Sequence, residues 1–290
     1  MEAFAHQVFS GIASGGIYAL LALALVMIYQ ATHNINFAQG EMATFSAFVA
    51  WSLINAGWPY WAAFAVTIVA SLVGGVAVHR IFLKPVERAS PLVNVIVFIG
   101  LMLIFNASSG LIFGHEIKSF GSPFPSEGFL VSRFLSGHHL GSLATMLVLL
   151  GALYAFFRFT PLGLALRAAA QNPDSARLVG IRVSWMLALG WGLAAAIGAV
   201  AGIMVAPTVF LDPNMMMGVL LYGFAGALLG GIDNPWGAVI GGFIVGILEN
   251  LLGAYVIGTE LKLTVALVLI VGILTLKPDG LFGKTVVTRV

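Results

Sequence analysis

Residues that usually carry catalysis are scattered in this sequence. It contains neither the His-Glu-x-x-His metal motif nor the Gly-x-Ser-x-Gly nucleophile turn, and its six histidines are dispersed or lie in loops. The triplet Gly-Lys-Thr at 283–285 resembles the end of a phosphate-binding loop, but Pro278 stands where that loop needs its first glycine. We therefore predict that the chain is not an enzyme, with no catalytic residue, no metal site and no cofactor of its own.

A different chemistry, the passage of a polar solute, is indicated by polar side chains inside apolar segments. An ionisable group in a membrane span costs about 2.5–3.5 kcal/mol on insertion scales, so such groups are candidates for function. The stretch NINFAQGEMAT at 34–44 gathers hydrogen-bond donors and acceptors around Glu41. The predicted translocation pathway comprises Asn34, Asn36, Gln39, Glu41, Thr44, Asn106 and Glu249. The alternatives are that Glu41 caps a helix at the membrane surface and that Glu249 is simply hydrated near the external surface.

The stretch ALRAAAQNPDSARLVGIR at 165–182 is polar and carries three arginines in an apolar chain. Thr160 before a proline is typical of a helix start, and Asn172 before a second proline can cap a second short helix. Gly180 can end that second helix in the left-handed conformation. The sequence therefore predicts two short helices in a loop over 160–184.

This loop has the composition of a surface that binds another protein. Leu178, Val179 and Ile181 form an apolar patch beside arginines, which is the mixture expected at a protein interface. The alternative is that the arginines only set the membrane topology. The predicted contact residues are Leu166, Arg167, Asn172, Pro173, Asp174, Arg177, Leu178, Val179, Gly180 and Ile181.

The overall composition of the chain indicates the environment in which these stretches lie. The 290 residues are 60% hydrophobic and 8% charged, with a mean hydropathy of +1.04. That is more apolar surface than one soluble core can bury. Several runs approach the roughly 20 apolar residues that an α-helix needs to cross a bilayer, and they lack the alternation of barrel strands. We predict an all-α membrane protein, and the small net charge of +2 argues against a nucleic-acid partner.

The apolar runs predict one transmembrane domain over 1–290, a polytopic helical bundle of eight to nine spans. The segments are 7–29, 36–54, 59–80, 92–113, 141–159, 185–206, 215–231, 236–255 and 260–276. The second segment opens with polar groups, so it either crosses or forms a re-entrant or broken helix. If it does not cross, the number of spans falls to eight and the N-terminus changes sides. Glycines four apart within 226–246 favour tight helix packing in lipid.

The distribution of basic residues predicts the orientation of the chain. On one side of the arrangement lie Arg80, Lys84, Arg88, Arg158, Arg167, Arg177, Arg182, Lys277, Lys284 and Arg289. On the other side lie Lys118, Arg133 and Lys262. The positive-inside rule then places the loop at 160–184 and the C-terminus in the cytoplasm, and the loop at 114–140 outside.

A family resemblance extends over essentially the whole chain. Its most specific stretches are GIASGGIYALLALALVMIYQATHNINFAQGEM, LALRAAAQNPDSARLVGI and LLGGIDNPWGAVIGGFIVGILENL. They resemble LivH-type permeases, the membrane subunits of bacterial branched-chain amino acid ABC importers. Two features depart from the pattern. Asp233-Asn234-Pro235 stands where these permeases more often have a Gly-Ser-type turn, and Arg167 replaces the glutamate of the general ABC coupling loop.

The resemblance implies a multi-pass permease subunit of the bacterial inner membrane, surrounded by membrane lipid, that translocates branched-chain or related hydrophobic amino acids. It implies three partners: cytoplasmic ATP-binding subunits that hold residues 166–181 and use ATP, a sister permease or second copy, and a periplasmic substrate-binding protein. Other permeases of this kind carry urea, amides or aromatic acids. A stand-alone secondary transporter is the remaining alternative.

Overall fold

The computed structural model describes residues 2–32, 34–87, 89–125 and 136–283. Four of the basic residues used for topology lie outside these ranges: Arg88, Arg133, Lys284 and Arg289. The helices are α1 Glu2–Thr32, α2 Gln39–Asn55, α3 Tyr60–Val78, α4 Pro91–Phe113, α5 Gly137–Phe159, α6 Pro161–Gln171, α7 Pro173–Leu178, α8 Val183–Val209, α9 Met215–Gly230, α10 Pro235–Leu252 and α11 Lys262–Leu276. Wider π-helical turns follow α3 at His79–Leu83 and α10 at Gly253–Ile257.

Every predicted segment contains a helix, so the all-α fold class is confirmed for the described residues. Six of these helices are long and apolar enough to cross a membrane: Glu2–Gln30, Tyr60–Val86, Leu92–Phe113, Gly137–Phe159, Val183–Val209 and Pro235–Ile257. Two further apolar helices, α9 and α11, are shorter, with 16 and 15 residues. The second, seventh and ninth segments of the sequence analysis, 36–54, 215–231 and 260–276, are therefore not among the helices of spanning length.

The chain divides into two compact units. Unit 1 comprises Met1–Val26, Phe124–Ala144 and Gly218–Val290, and unit 2 comprises Met27–Pro123 and Thr145–Met217. Each unit is assembled from distant parts of the sequence. The chain therefore does not divide simply into an N-terminal and a C-terminal half.

Glycines bring the helices of unit 1 close together. A Cβ atom on Gly226 would lie 2.7 Å from the Cα of Gly242, and a Cβ on Gly15 would lie 2.9 Å from the Cα of Phe243. Such distances leave no space for a side chain between the backbones of α9 and α10 or of α1 and α10. The predicted tight packing within 226–246 is confirmed.

Helix α1 runs antiparallel to α10 within unit 1. Gly11 lies against Ile247, whereas Ala19, further along α1, lies against Gly242, which comes earlier in α10. The ring of Phe4 is 6.3 Å from that of Tyr255, which follows α10. The beginning of α1 therefore lies beside the end of α10.

Helix α8 forms the centre of unit 2. Most of its residues between Met186 and Ala206 are buried, and a Cβ on Gly75 of α3 would lie 2.9 Å from the Cα of Gly192. Helix α2 runs parallel to α8 and begins beside its middle, because Gln39 contacts Ala194, whereas Ala43, further along α2, lies against Gly202, further along α8. The polar start of α2 thus lies against the middle of a long apolar helix.

Candidate functional site

The loop between α5 and α8 has the local structure that the sequence predicts. The Oγ1 atom of Thr160 accepts a hydrogen bond from the backbone nitrogen of Gly163 at 3.0 Å, which caps α6. The Oδ1 atom of Asn172 accepts one from the nitrogen of Ser175 at 2.9 Å, which caps α7. Gly180 has a φ of +84° and follows α7 in the left-handed conformation. The prediction of two capped short helices is confirmed.

A buried apolar cluster attaches this loop to α8. Leu166 of α6 and Ala176 of α7 pack with three residues at the start of α8, namely Val183, Met186 and Leu187. Leu166, which the sequence analysis assigned to partner contact, is therefore an internal anchor of the loop. Buried apolar side chains thus hold the loop against the start of the long helix α8.

The outer surface of the loop is apolar at its second helix. The side chains of Leu178 and Val179 are 89% and 76% exposed. Beside them, Arg177 donates to the Oδ1 atom of Asp174 at 2.8 Å, an exposed pair worth about 0–1 kcal/mol. Among the remaining predicted contacts, Arg167, Asn172 and Gly180 are exposed, whereas Pro173 and Ile181 are half-buried. The loop thus presents two large apolar side chains at the end of a short, capped helix.

The polar residues before α2 bond largely to one another and to α8. The Nδ2 atom of Asn36 donates to the Oε1 atom of Gln39 at 3.4 Å, and the Nε2 atom of Gln39 donates to the carbonyl oxygen of Ala194 at 2.9 Å. Asn34 bonds locally, donating to the carbonyl oxygen of Thr32 at 2.7 Å. Among the described residues, the buried Thr44 Oγ1 atom has no hydrogen-bond partner. The broken start of α2 is therefore a hydrogen-bonded structure, with one free hydroxyl further along the helix.

A second pair of predicted pathway residues, Glu41 and Asn106, is in contact. The Nδ2 atom of Asn106 on α4 donates to the Oε2 atom of Glu41 at 3.1 Å. The same amide nitrogen lies 3.0 Å from the Oδ1 atom of Asn214 and 3.2 Å from the carbonyl oxygen of Pro213. Glu41 is buried and has no ion pair among the described residues. A carboxylate in such surroundings attracts a cationic group, for example the ammonium group of an amino acid.

Glu249 belongs to unit 1 and has different partners. Its Oε2 atom accepts a hydrogen bond from the hydroxyl of Tyr18 at 3.0 Å, and its Oε1 atom pairs with the Nζ atom of Lys262 at 3.2 Å. Lys262 also donates to the Oδ1 atom of Asn250 at 3.3 Å, and the ring of Tyr18 stacks on that of Tyr222 at 4.9 Å. The hydration alternative for Glu249 is wrong, because the carboxylate is buried and paired.

The ion pair between Lys262 and Glu249 was not expected from the sequence, in which Lys262 counted only among the external charges. The sequence feature that could have indicated this ion pair is the short connection 253–261. It joins the end of α10 to the start of α11 and brings their side chains opposite each other. Asn214, which contacts Asn106, was also missed, because it lies in a turn between two apolar segments.

Potential metal ligands are dispersed over the described residues. Within the described ranges, no group of three or more His, Asp or Glu side chains is arranged to hold a metal ion. The expected absence of a metal site and of a bound cofactor stays a prediction.

Comparison with known proteins gives matches over nearly the full length. Residues 7–274 match the family described as "Branched-chain amino acid transport system / permease component". The chain is 32% identical over 304 residues to the high-affinity branched-chain amino acid transport system permease protein LivH of Escherichia coli (strain K12), covering 99% of this chain and 98% of that protein. The corresponding protein BraD of Pseudomonas aeruginosa is 28% identical over 303 residues, with 99% and 98% covered. A probable branched-chain amino acid transport permease protein LivH of Methanocaldococcus jannaschii is 28% identical over 284 residues, with 92% and 89% covered.

Proposed function

The chain belongs to the family of permease components of branched-chain amino acid transport systems, and we propose that its substrates are branched-chain or related hydrophobic amino acids. The family resemblance of its sequence is confirmed. It is a transport subunit rather than an enzyme, and its relatives and apolar helices identify it as a multi-pass protein of the inner membrane. The names of the relatives support the assignment of the substrate.

The α6–α7 loop is the receiving surface for a cytoplasmic ATPase subunit. One observation carries this assignment: Leu178 and Val179 are exposed at the end of α7, while Ala176 of the same helix is buried against the start of α8. An ATPase that closes on ATP would push the loop and tilt α8, exchanging outward for inward access. This chain binds no ATP in the proposal. A periplasmic binding protein delivers the amino acid, and a sister permease or a second copy completes the pore.

The translocation pathway uses the polar groups of the transmembrane helices. Its proposed residues remain Asn34, Asn36, Gln39, Glu41, Thr44, Asn106 and Glu249. The contact between Glu41 and Asn106 supports the assignment, because it leaves a buried carboxylate without a cationic partner among the described residues. The ammonium group of the substrate is the complementary charge.

The proposed topology has nine membrane segments in one permease domain over 1–290. Helices α9 and α11 are about 24 and 22 Å long at about 1.5 Å per residue, which a locally thin bilayer accommodates. Helix α2, with 17 residues, is the ninth segment, and its start is a broken helix. The C-terminus and the loop at 160–184 are cytoplasmic, and the loop at 114–140 is external. The antiparallel packing of α1 and α10 supports an even number of segments from α1 to α10, and α11 as a further segment makes the total odd.

The coupling assignment is tested by charge reversal on the loop. We expect Arg177→Glu combined with Leu178→Asp to insert normally in the membrane but to lose both leucine uptake and copurification of the ATPase. A matched control is Ile117→Asp combined with Lys118→Glu, because Ile117 is also exposed and is also next to a basic residue. The control should keep uptake and ATPase. Normal uptake by the loop variant would contradict the coupling role.

The alternatives are separated by reconstitution. The chain with its partners should import leucine, isoleucine and valine only with ATP, and the identity of the second permease follows from mass spectrometry of the purified complex. ATP-independent transport by the chain alone would replace the importer with a secondary transporter. Preferential import of urea, amides or aromatic acids would change the assigned substrate and leave the coupling mechanism intact.

A further inference from the structure

A cavity outside the polar groups described above opens where α3, α7 and α8 meet. Its volume is about 620 Å³, and all of its lining residues belong to unit 2. The lining includes Arg80, Arg177, Arg182, Val183, Ser184 and Trp185. Three guanidinium groups from three different segments of the chain thus border one space.

The charge of this cavity is strongly positive. Among its arginines, Arg177 has a carboxylate partner in Asp174, whereas the guanidinium of Arg80 lies 4.0 Å from the ring centre of Trp185. A cation on an aromatic face keeps its N–H groups free to donate in the plane of the guanidinium. Planar guanidinium groups bind phosphate oxygens in pairs, which makes a phosphate the complementary ligand.

The cavity lies at the ends of two helices of spanning length. Arg80 belongs to the π-helical turn that ends the apolar segment Tyr60–Val86, and Trp185 is the third residue of α8. Tryptophan and arginine at helix ends are typical of the headgroup region of a bilayer. Ile81 and Phe82, directly after Arg80, are 63% and 41% exposed. A cationic and an apolar surface therefore adjoin, as the phosphate and the first carbons of the acyl chains do in a phospholipid.

We propose that this cavity binds the phosphate of an anionic phospholipid such as phosphatidylglycerol. The phosphate lies between Arg80 and Arg182, and the acyl chains lie against the exposed apolar side chains of the π-helical turn. Since the cavity borders both α3 and the α6–α7 loop, the lipid ties the loop to the end of a transmembrane helix. This inference goes beyond the proposed function and depends only on the chain being a membrane protein.

The position of Arg80 favours a lipid over the ATPase as the occupant. An ATPase would be expected to bind the exposed Leu178 and Val179, and neither of these residues lines the cavity. Arg80 instead follows a long lipid-exposed helix. The cavity therefore adjoins the ATPase contact and shares Arg177 and Ile181 with it, whereas Arg80 and Arg182 belong to the cavity alone.

The test measures lipid binding by the purified full-length chain with native mass spectrometry, titrating phosphatidylglycerol or phosphatidylcholine. The variant Arg80→Gln combined with Arg182→Gln should bind phosphatidylglycerol roughly 30-fold more weakly than the wild type, with unchanged phosphatidylcholine binding. The control Arg158→Gln combined with Lys277→Gln removes the same charge from exposed positions outside the cavity. It should bind both lipids as the wild type does. The thermal midpoint of each variant is measured alongside, and Arg80→Lys with Arg182→Lys should recover part of the affinity.

Three results would overturn the proposal. Equal phosphatidylglycerol affinity in the wild type and the Arg80/Arg182 variant would show that the cavity holds no lipid phosphate. Displacement of the lipid by equimolar inorganic phosphate would assign the site to a free anion. Unchanged lipid binding with loss of the copurifying ATPase would assign the arginines to the protein interface. The last result would leave the proposed importer function intact.

Discussion

The carboxylate of Glu249 has a lysine and a tyrosine hydroxyl as partners in unit 1. Breaking a fully buried ion pair from one side costs about 3–5 kcal/mol, and the 28% exposure of Lys262 reduces that penalty to about 2 kcal/mol. We therefore expect Glu249→Gln to unfold at a lower temperature than the wild type in detergent. In Glu249→Gln combined with Lys262→Met, no unpaired ammonium group remains, so part of the loss should be recovered.

The four proteins of this double-mutant cycle decide whether the pair is coupled. Lys277→Met is the control, since Lys277 is exposed and outside the pair, and its thermal midpoint should equal that of the wild type. If the two single changes simply add in the double variant, within about 0.5 kcal/mol, the ion pair contributes no coupling and the prediction is wrong.

Single residues also show how far a sequence can predict a polar site. Glu41 and Asn106 were both selected by the cost of polar groups in apolar segments, and they do contact each other. Lys262 was not selected, because a charge at a helix end looks like a topology signal until the facing helix is known. Gln39 was selected for the pathway, yet its amide bonds to Ala194, which is 155 residues away in the chain. Residue type predicts which groups need a partner, whereas the fold determines the partner.

At the scale of elements, local features are predictable and long-range ones are not. The caps at Thr160 and Asn172 depend on atoms three residues away, so the sequence alone predicts them correctly. The parallel run of α2 beside α8 depends on contacts with a distant segment, and no periodicity in 34–54 indicates it. Glycine spacing is intermediate: it predicts a close approach of helices but not which helices meet.

The close approach of α9 and α10 gives a prediction about the packing between these two helices. A methyl group on Gly226 would lie 2.7 Å from the Cα of Gly242, so Gly226→Ala must push two backbones apart. We expect this change to cost about 1–3 kcal/mol of stability, measured as a lower thermal midpoint. The matched control is Gly272→Ala in α11, where a Cβ would meet no atom within 4 Å. Its midpoint should stay or rise slightly, because alanine is the better helix former. Equal midpoints for the two variants would contradict the packing argument.

At the scale of the whole molecule, the two chain ends report the number of membrane segments. An odd number places the N-terminus and the C-terminal tail on opposite sides, and an even number places them on the same side. Within unit 1, the start of α1 lies beside the end of α10, and α11 then separates α10 from Lys277. If α11 crosses, the two chain ends lie on opposite sides.

The sequence contains no cysteine, so single cysteines can be introduced at chosen positions. Each can then be labelled in intact cells with a membrane-impermeant thiol reagent. We expect Ala3→Cys and Tyr255→Cys to be labelled from the same side, because the start of α1 and the end of α10 are neighbours. In the proposed topology that side is the outside. Lys277→Cys and Ser175→Cys should be labelled only after the membrane is permeabilised, because the basic residues hold these segments in the cytoplasm. Labelling of Ala3→Cys together with Lys277→Cys from one side would mean an even number of segments, with α2 or α11 entering the membrane without crossing it. Labelling of Ser175→Cys from outside would reverse the orientation and remove the α6–α7 loop from the reach of any ATPase.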